Sequence, residues 1–208
     1  MTGMIGPPGF AGEWFGGEIT AHATCVLAPN AGPQTLDGTN TWLIGAPGST
    51  GLSVIDPGPN GVARGQVVAA GVRARGARID RILLTHGHLD HSAGARMFAE
   101  AAGCEVQALD PAHQYGSEGL TGGEVLELSG IEIHVVATPG HSSDSLSFHL
   151  PQDGSLLTGD TVLGRGTTVV AYPDGTLVEY LDSLHRLREL VHESDLSRIL
   201  PGHGPTLD

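Results

Sequence analysis

Short apolar runs bounded by Gly- and Pro-rich turns recur along the whole chain, and they set its architecture. "ATCVLAP" (23–29), "NTWLIG" (40–45) and "LSVIDPG" (52–58) read as strands, with "APGSTG" as the hairpin signal between the last two. "IDRILLT" (79–85) is a buried strand and "CEVQAL" (104–109) another. After a polar, Gly-rich stretch at 110–123, the logic repeats. "EVLEL" (124–128) and "IEIHVVAT" (131–138) form a hairpin around "SG", with Ile131, Ile133, Val135 and Ala137 on one face by the two-residue period. "SLSFHL" (145–150) and "SLLTGD" (155–160) pair around "PQDG", and "RILPGHG" (198–204) is a last strand. Helical spacing appears at 62–75, through Val62, Val67, Val68, Ala70 and Val72, and again at 92–102. The clearest helix spans 177–191, where Leu177, Tyr180, Leu181, Leu184, Leu187 and Val191 make one stripe. Thr176 and Glu179 have capping-box spacing at its start. Residues 1–20 read as loop or a weak edge strand, and 30–38 as turn. The pattern predicts an α/β fold in a single domain, 1–208, with halves at roughly 1–122 and 123–208.

Composition narrows the function. Gly makes up 32 of 208 residues, about twice the usual share, which suits a loop-rich chain with many tight turns. A net charge of −13 with only 10 Lys plus Arg argues against non-specific nucleic-acid binding and against an anionic membrane surface. The expected partner is a small-molecule substrate, with RNA as a disfavoured alternative. Cys25 and Cys104 are too few for a disulfide framework. The opening "MTGMIGPPGFAGEWFGG" lacks the basic and apolar regions of a signal peptide, and no apolar run reaches the ~18 residues that span a bilayer. A cytoplasmic location is the expectation.

The candidate chemistry starts at "ILLTHGHLDHS" (82–92). A strand delivers His86 and His88 to the same side of an extended segment, and Asp90 and His91 sit at the start of the helix beyond it. Imidazole nitrogen with carboxylate oxygen suits zinc or another first-row metal. One cluster does not complete a site. Further donors stand just after other apolar strands and beside Gly: His141 in "TPGHSSDS", Asp160 in "LLTGDTVLG" and His203 in "ILPGHGP".

The series His-x-His-x-Asp-His, then His, Asp and His, resembles the metallo-β-lactamase superfamily over essentially the whole chain. That resemblance implies a four-layer αββα sandwich with an internal pseudo-two-fold repeat. It assigns His86, His88 and His141 to one metal and Asp90, His91 and His203 to a second, with Asp160 bridging. It implies two divalent ions, zinc first and manganese or iron next. The stretches 27–45, 138–148 and 157–187 look like the β-lactamase-like protein 2 branch, which includes endoribonucleases and fungal thioesterases. Members usually continue well past the last histidine, whereas this sequence has five residues after His203.

A metal pair can lower the pKa of a shared water toward neutrality and so supply a hydroxide nucleophile. Asp90 is the expected catalytic residue, as ligand and as orienter of that nucleophile. The leading expectation is a hydrolase of a small ester or thioester. A single-strand endoribonuclease is the alternative, and a non-catalytic metal-binding protein the third. Arg165, Thr167 and Thr168 in "GRGTTVV", together with Asn40, are candidate substrate residues. Asp144 is a candidate brace for a ligand histidine. His22, His113, His134, His149, His185 and His192 are expected to stand outside the site.

Overall fold

The computed structural model describes residues 14–208, and its strands build two sheets. Most of the predicted loop or edge segment at 1–20 lies outside the described residues. Its described part contributes the two-residue strand β1 (Gly17–Glu18). The first sheet orders β1, β2 (Ala23–Leu27), β3 (Asn40–Ile44), β4 (Gly51–Ile55), β5 (Arg78–Leu83) and β6 (Glu105–Gln107) in sequence. Its pairs are antiparallel up to β4 and parallel from β4 to β6. The second sheet runs β11 (Arg198–Pro201), β10 (Ser155–Gly159), β9 (Leu146–Leu150), β8 (Ile131–Ala137) and β7 (Val125–Leu128). Only β10–β11 is parallel there.

Strands β3, β4, β9 and β10 are buried at every position, as central strands covered on both faces must be. The main core lies between the sheets, where Trp42, Ile44, Ile133, Val135, Phe148 and Leu157 meet. A second core joins the first sheet to α1 (Val62–Ala74) and α3 (Ala95–Ala102), through Leu43, Val54, Ile82, Val68, Val72 and Phe98. Helix α4 (Leu177–Glu193) is anchored to the second sheet at the end of β8, where Ser183 and Arg186 bond Pro139 O and Ala137 O, which gives the helix–sheet–sheet–helix order. Thr176 caps it as the spacing predicts, its hydroxyl accepting from the Glu179 N–H at 3.3 Å.

Two expectations are revised, and α1 forms where the spacing placed a helix. The helix predicted at 92–102 is broken into α2 (Leu89–Ser92) and α3, because the chain at Gly94 touches another loop: Gly94 N–H donates to Gly58 O at 3.0 Å. In α1, Val68 and Val72 are buried, but Val62, Val67 and Ala70 face solvent. In α4 the predicted stripe is rotated. Ser183 and Leu187 are buried and Tyr180, Leu184 and Leu190 half-buried, whereas Leu177 is 62% exposed and Leu181 47%. Polar anchors set that rotation. Ser183 Oγ donates to Pro139 O at 2.7 Å and Tyr180 Oη to Thr161 O at 3.0 Å. Gly140, at φ 134°, lies so close under α4 that a Cβ there would sit 2.3 Å from the Tyr180 backbone.

Candidate metal centre

The chain exits of β4, β5, β8, β10 and β11 converge at one end of the sandwich. Beyond β5, buried Thr85 leads into His86, Gly87 and His88, and α2 carries Asp90 and His91. His141 comes after β8, Asp160 after β10, and His203 after β11. All seven residues expected as ligands are brought together. The donor atoms of His86, His88 and His141 lie within 4.8 Å of one another, as do those of Asp90, His91 and His203. Asp160 stands between the groups, 3.4 Å from His91 Nε2, 3.3 Å from His203 Nε2 and 3.7 Å from His141 Nε2.

The outer ring nitrogens explain why the inner ones converge. Nδ1 of His86 meets Thr85 Oγ1 at 2.9 Å, that of His91 meets Asp56 Oδ2 at 2.9 Å, that of His141 meets Val169 O at 2.7 Å, and that of His203 meets Gly38 O at 3.1 Å. Each ring is therefore held outward through Nδ1 and turns its Nε2 inward. His88 is turned the other way, with Nδ1 3.0 Å from His141 Nε2 and Nε2 3.5 Å from Asp174. His91 Nε2 and His203 Nε2 face each other at 3.2 Å. His86 Nε2 and Asp160 Oδ1 are buried without a hydrogen-bond partner. Buried polar atoms are costly to leave unmade. Converging lone pairs on nitrogen and carboxylate oxygen are a fit for divalent cations.

Electrostatics divides the cluster. Burial pushes His86 well below the usual histidine range, reinforced by nearby His91. Burial also lowers His141, against the pull of Asp160. For His203, burial is outweighed by Asp160 and Asp90, which raise it to about 9. His91 is likewise raised, with Asp160 and Asp56 overcoming its burial. Burial works to raise Asp90 and Asp160, yet contacts with His91 and His203 hold both carboxyls well below the usual range.

Asp56 is the residue that sequence reasoning missed. It is buried at φ 51° beyond β4 and accepts from Thr85 N at 2.8 Å and Thr85 Oγ1 at 2.6 Å while holding His91. Its signal was available: like Asp160, it comes after an apolar strand and stands near Gly, in "VIDPG". Asp144, the predicted brace, holds no ligand ring and instead accepts from Ser142 Oγ at 2.7 Å.

The structure separates the four substrate candidates. Asn40 is fully buried, accepts from Trp14 Nε1 at 2.8 Å, and donates to Pro201 O at 2.9 Å and Gly204 O at 2.8 Å. It ties down the His203 loop and has no surface for a substrate. Arg165 is held in an ion pair by Asp37 and does not line the cavity beside the centre. Thr167 and Thr168 do line that cavity, whose volume is about 660 Å³. Thr168 Oγ1 also donates to the Asp160 backbone carbonyl at 2.8 Å.

The sequence profile of the metallo-beta-lactamase superfamily matches residues 34–203. The chain belongs to the metallo-beta-lactamase superfamily. Among superfamily members it is 37% identical over 198 residues to the atrochrysone carboxyl ACP thioesterase of Aspergillus fumigatus, covering 91% of this chain and 58% of that protein. It is 32% identical over 198 residues to the beta-lactamase-like protein 2 homolog of Caenorhabditis elegans, covering 92% of this chain and 64% of that protein. The chain thus spans less than two thirds of the length of these relatives. A solved superfamily structure, TTHA1623 in a di-iron-bound form, superposes with a TM-score of 0.67 at 27% identity, over 88% of this chain and 94% of that one. Among the described residues, no helix is long and apolar enough to cross a membrane.

Proposed function

We propose that this chain is a dinuclear metal-dependent hydrolase acting on a small ester or thioester. The observation that carries the reading is the inward convergence of seven donors around two buried atoms, His86 Nε2 and Asp160 Oδ1, that have no hydrogen-bond partner among the described residues. His86, His88 and His141 would hold one ion and Asp90, His91 and His203 the other, with Asp160 shared. The di-iron form of TTHA1623 supports two ions, and the nitrogen-rich donor set favours zinc. Such ions, when bound, supply Lewis acidity that acidifies water and polarises a carbonyl. The protein's own part is positional. Asp90, 31% exposed in its side chain and kept ionised by His203 and His91, faces the cavity and accepts the hydrogen bond that aims the attacking water. Thr85 and Asp56 keep His86 and His91 from rotating. Thr167 and Thr168 offer hydroxyls at the substrate side.

The cavity selects between substrates. Leu36, Leu89, Leu163 and Val169 line it, and no Lys or Arg among the described residues does. That lining accepts an acyl group and gives a phosphodiester chain no cationic track. The thioesterase name of the Aspergillus relative agrees with a thioester. Free Cys25 and Cys104 fit a reducing, cytoplasmic setting. The test is to incubate zinc-loaded protein with acyl-thioesters and with labelled single-stranded RNA. Thioester hydrolysis that disappears in His88→Ala is expected. RNA cleavage that disappears in His88→Ala with thioesters untouched would replace this reading with the endoribonuclease one. Bound zinc with no turnover of either would leave a non-catalytic metal protein.

A further inference from the structure

A second cavity, of about 480 Å³, opens between α1 and α3 on the outer face of the first sheet, away from the metal centre. Its floor is Val68, Val72, Phe98 and Ile79, and its walls are the small residues Gly65, Ala69 and Ala101. Small walls explain why the two helices leave space between them. At Gly65 a Cβ would sit 2.8 Å from the Phe98 ring, so Phe98 reaches under α1 there and the groove stays open above. The volume falls in the range of small-molecule sites, which are mostly apolar with a few placed polar groups.

The charged residues lining this cavity are all of one sign. Arg73 and Arg78 line it, and no Asp or Glu among the described residues does, although the chain carries a net charge of −13 with only 10 basic residues. Arg78 Nε pairs with Asp80 at 3.0 Å, leaving its terminal nitrogens, and Arg73 has no ion pair among the described residues. An apolar slot with two guanidinium groups suits an aliphatic body ending in an anionic head such as a carboxylate, which guanidinium binds with two parallel hydrogen bonds.

We propose that the α1–α3 groove is a second ligand site, for a small free amphiphilic carboxylate. The site does not depend on the metal centre. Titration calorimetry with decanoate below its micellar range tests it on the whole chain. Saturable one-to-one binding is expected. Arg73→Glu should weaken it at least tenfold, and Ala101→Trp, at an exposed wall position, should abolish it. Chelator-treated protein should bind decanoate unchanged, which separates this site from the hydrolase reading. On the wild-type protein, methyl resonances of Val68, Val72 and Met97 should shift on titration, so the test holds even if a variant misfolds. No saturable binding, equal binding of decyltrimethylammonium, or shifts confined to other residues would overturn the proposal. So would binding to phosphatidylglycerol vesicles with no response to monomeric decanoate, which would make the groove a lipid-surface contact.

Discussion

The two donor trios at the end of the sandwich differ in what surrounds them. Asp90, His91 and His203 sit among carboxylates: His91 is fully buried, braced by Asp56, and within 3.4 Å of both Asp90 and Asp160. His86, His88 and His141 form an all-nitrogen trio, and His88 is 44% exposed with only half-exposed Asp174 beside it. The first arrangement supplies negative charge and a rigid frame. The second supplies neutral nitrogen and an open edge. Two ions held this way should not be equivalent: the one on the nitrogen trio should exchange first.

Asp160→Ala attacks the contrast at its hinge, since this carboxylate serves both trios. Metal content should fall well below two per chain and activity by at least ~100-fold, the upper end of what losing even an outer partner of a ligand costs. Two full equivalents by metal analysis of the variant would refute the shared position. Asp56→Asn comes next. It weakens the brace on His91 and should reduce metal affinity by ~10–100-fold, with the slowly exchanging ion now the labile one. An unchanged order of release under chelator would mean the brace does not set the difference. His88→Ala should remove the fast-exchanging ion and leave the slow one. Its side chain is partly exposed, so the metal-free protein's stability in urea should shift by less than ~0.5 kcal/mol.

A smaller effect lies outside both trios. His149, on β9, is lowered by burial first and by the nearby His134 second. It stays neutral in the native chain where the unfolded chain binds a proton, so stability drops as pH falls below ~6.5. His149→Gln should flatten that acid limb in urea titrations at stepped pH. A limb identical to wild type would assign the acid sensitivity to the centre instead. His113→Ala should leave metal content unchanged. Its donors group with Asp110 and Asp144 rather than with either trio, although its ring packs against Gly87, and any loss of metal would break the division between trios and bystanders.

The strands and the ligand cluster were legible because both depend on local pattern. A buried strand announces itself by its apolar run, and donors after strand ends share the Gly-flanked turns that let backbones converge. Asp56 went unread although its turn has the same pattern as that of Asp160, because only the fold shows it 2.9 Å from His91. Asn40 was read as a substrate residue because an Asn in a polar loop looks available. Its partners, Pro201 and Gly204, are more than 160 positions away. The face of α4 was misjudged for a related reason. The stripe from Leu177 to Val191 is real, but the helix rotates to satisfy Ser183 and Tyr180, which periodicity cannot weigh.

The Asn40 clamp carries a consequence for how the chain reaches its native state. Asn40 and Trp42 on β3 both donate to Pro201 O, and Asn40 N–H bonds Gly202 O, stitching the first sheet to the loop that delivers His203. Every one of these contacts closes a loop of about three quarters of the sequence, and such contacts form late because their closure entropy comes before their reward. The Asp90–His91–His203 trio is therefore a timer. It cannot exist until the last strand has docked, so metal capture marks the end of folding, and a growing chain still short of His203 offers an ion only part of the site.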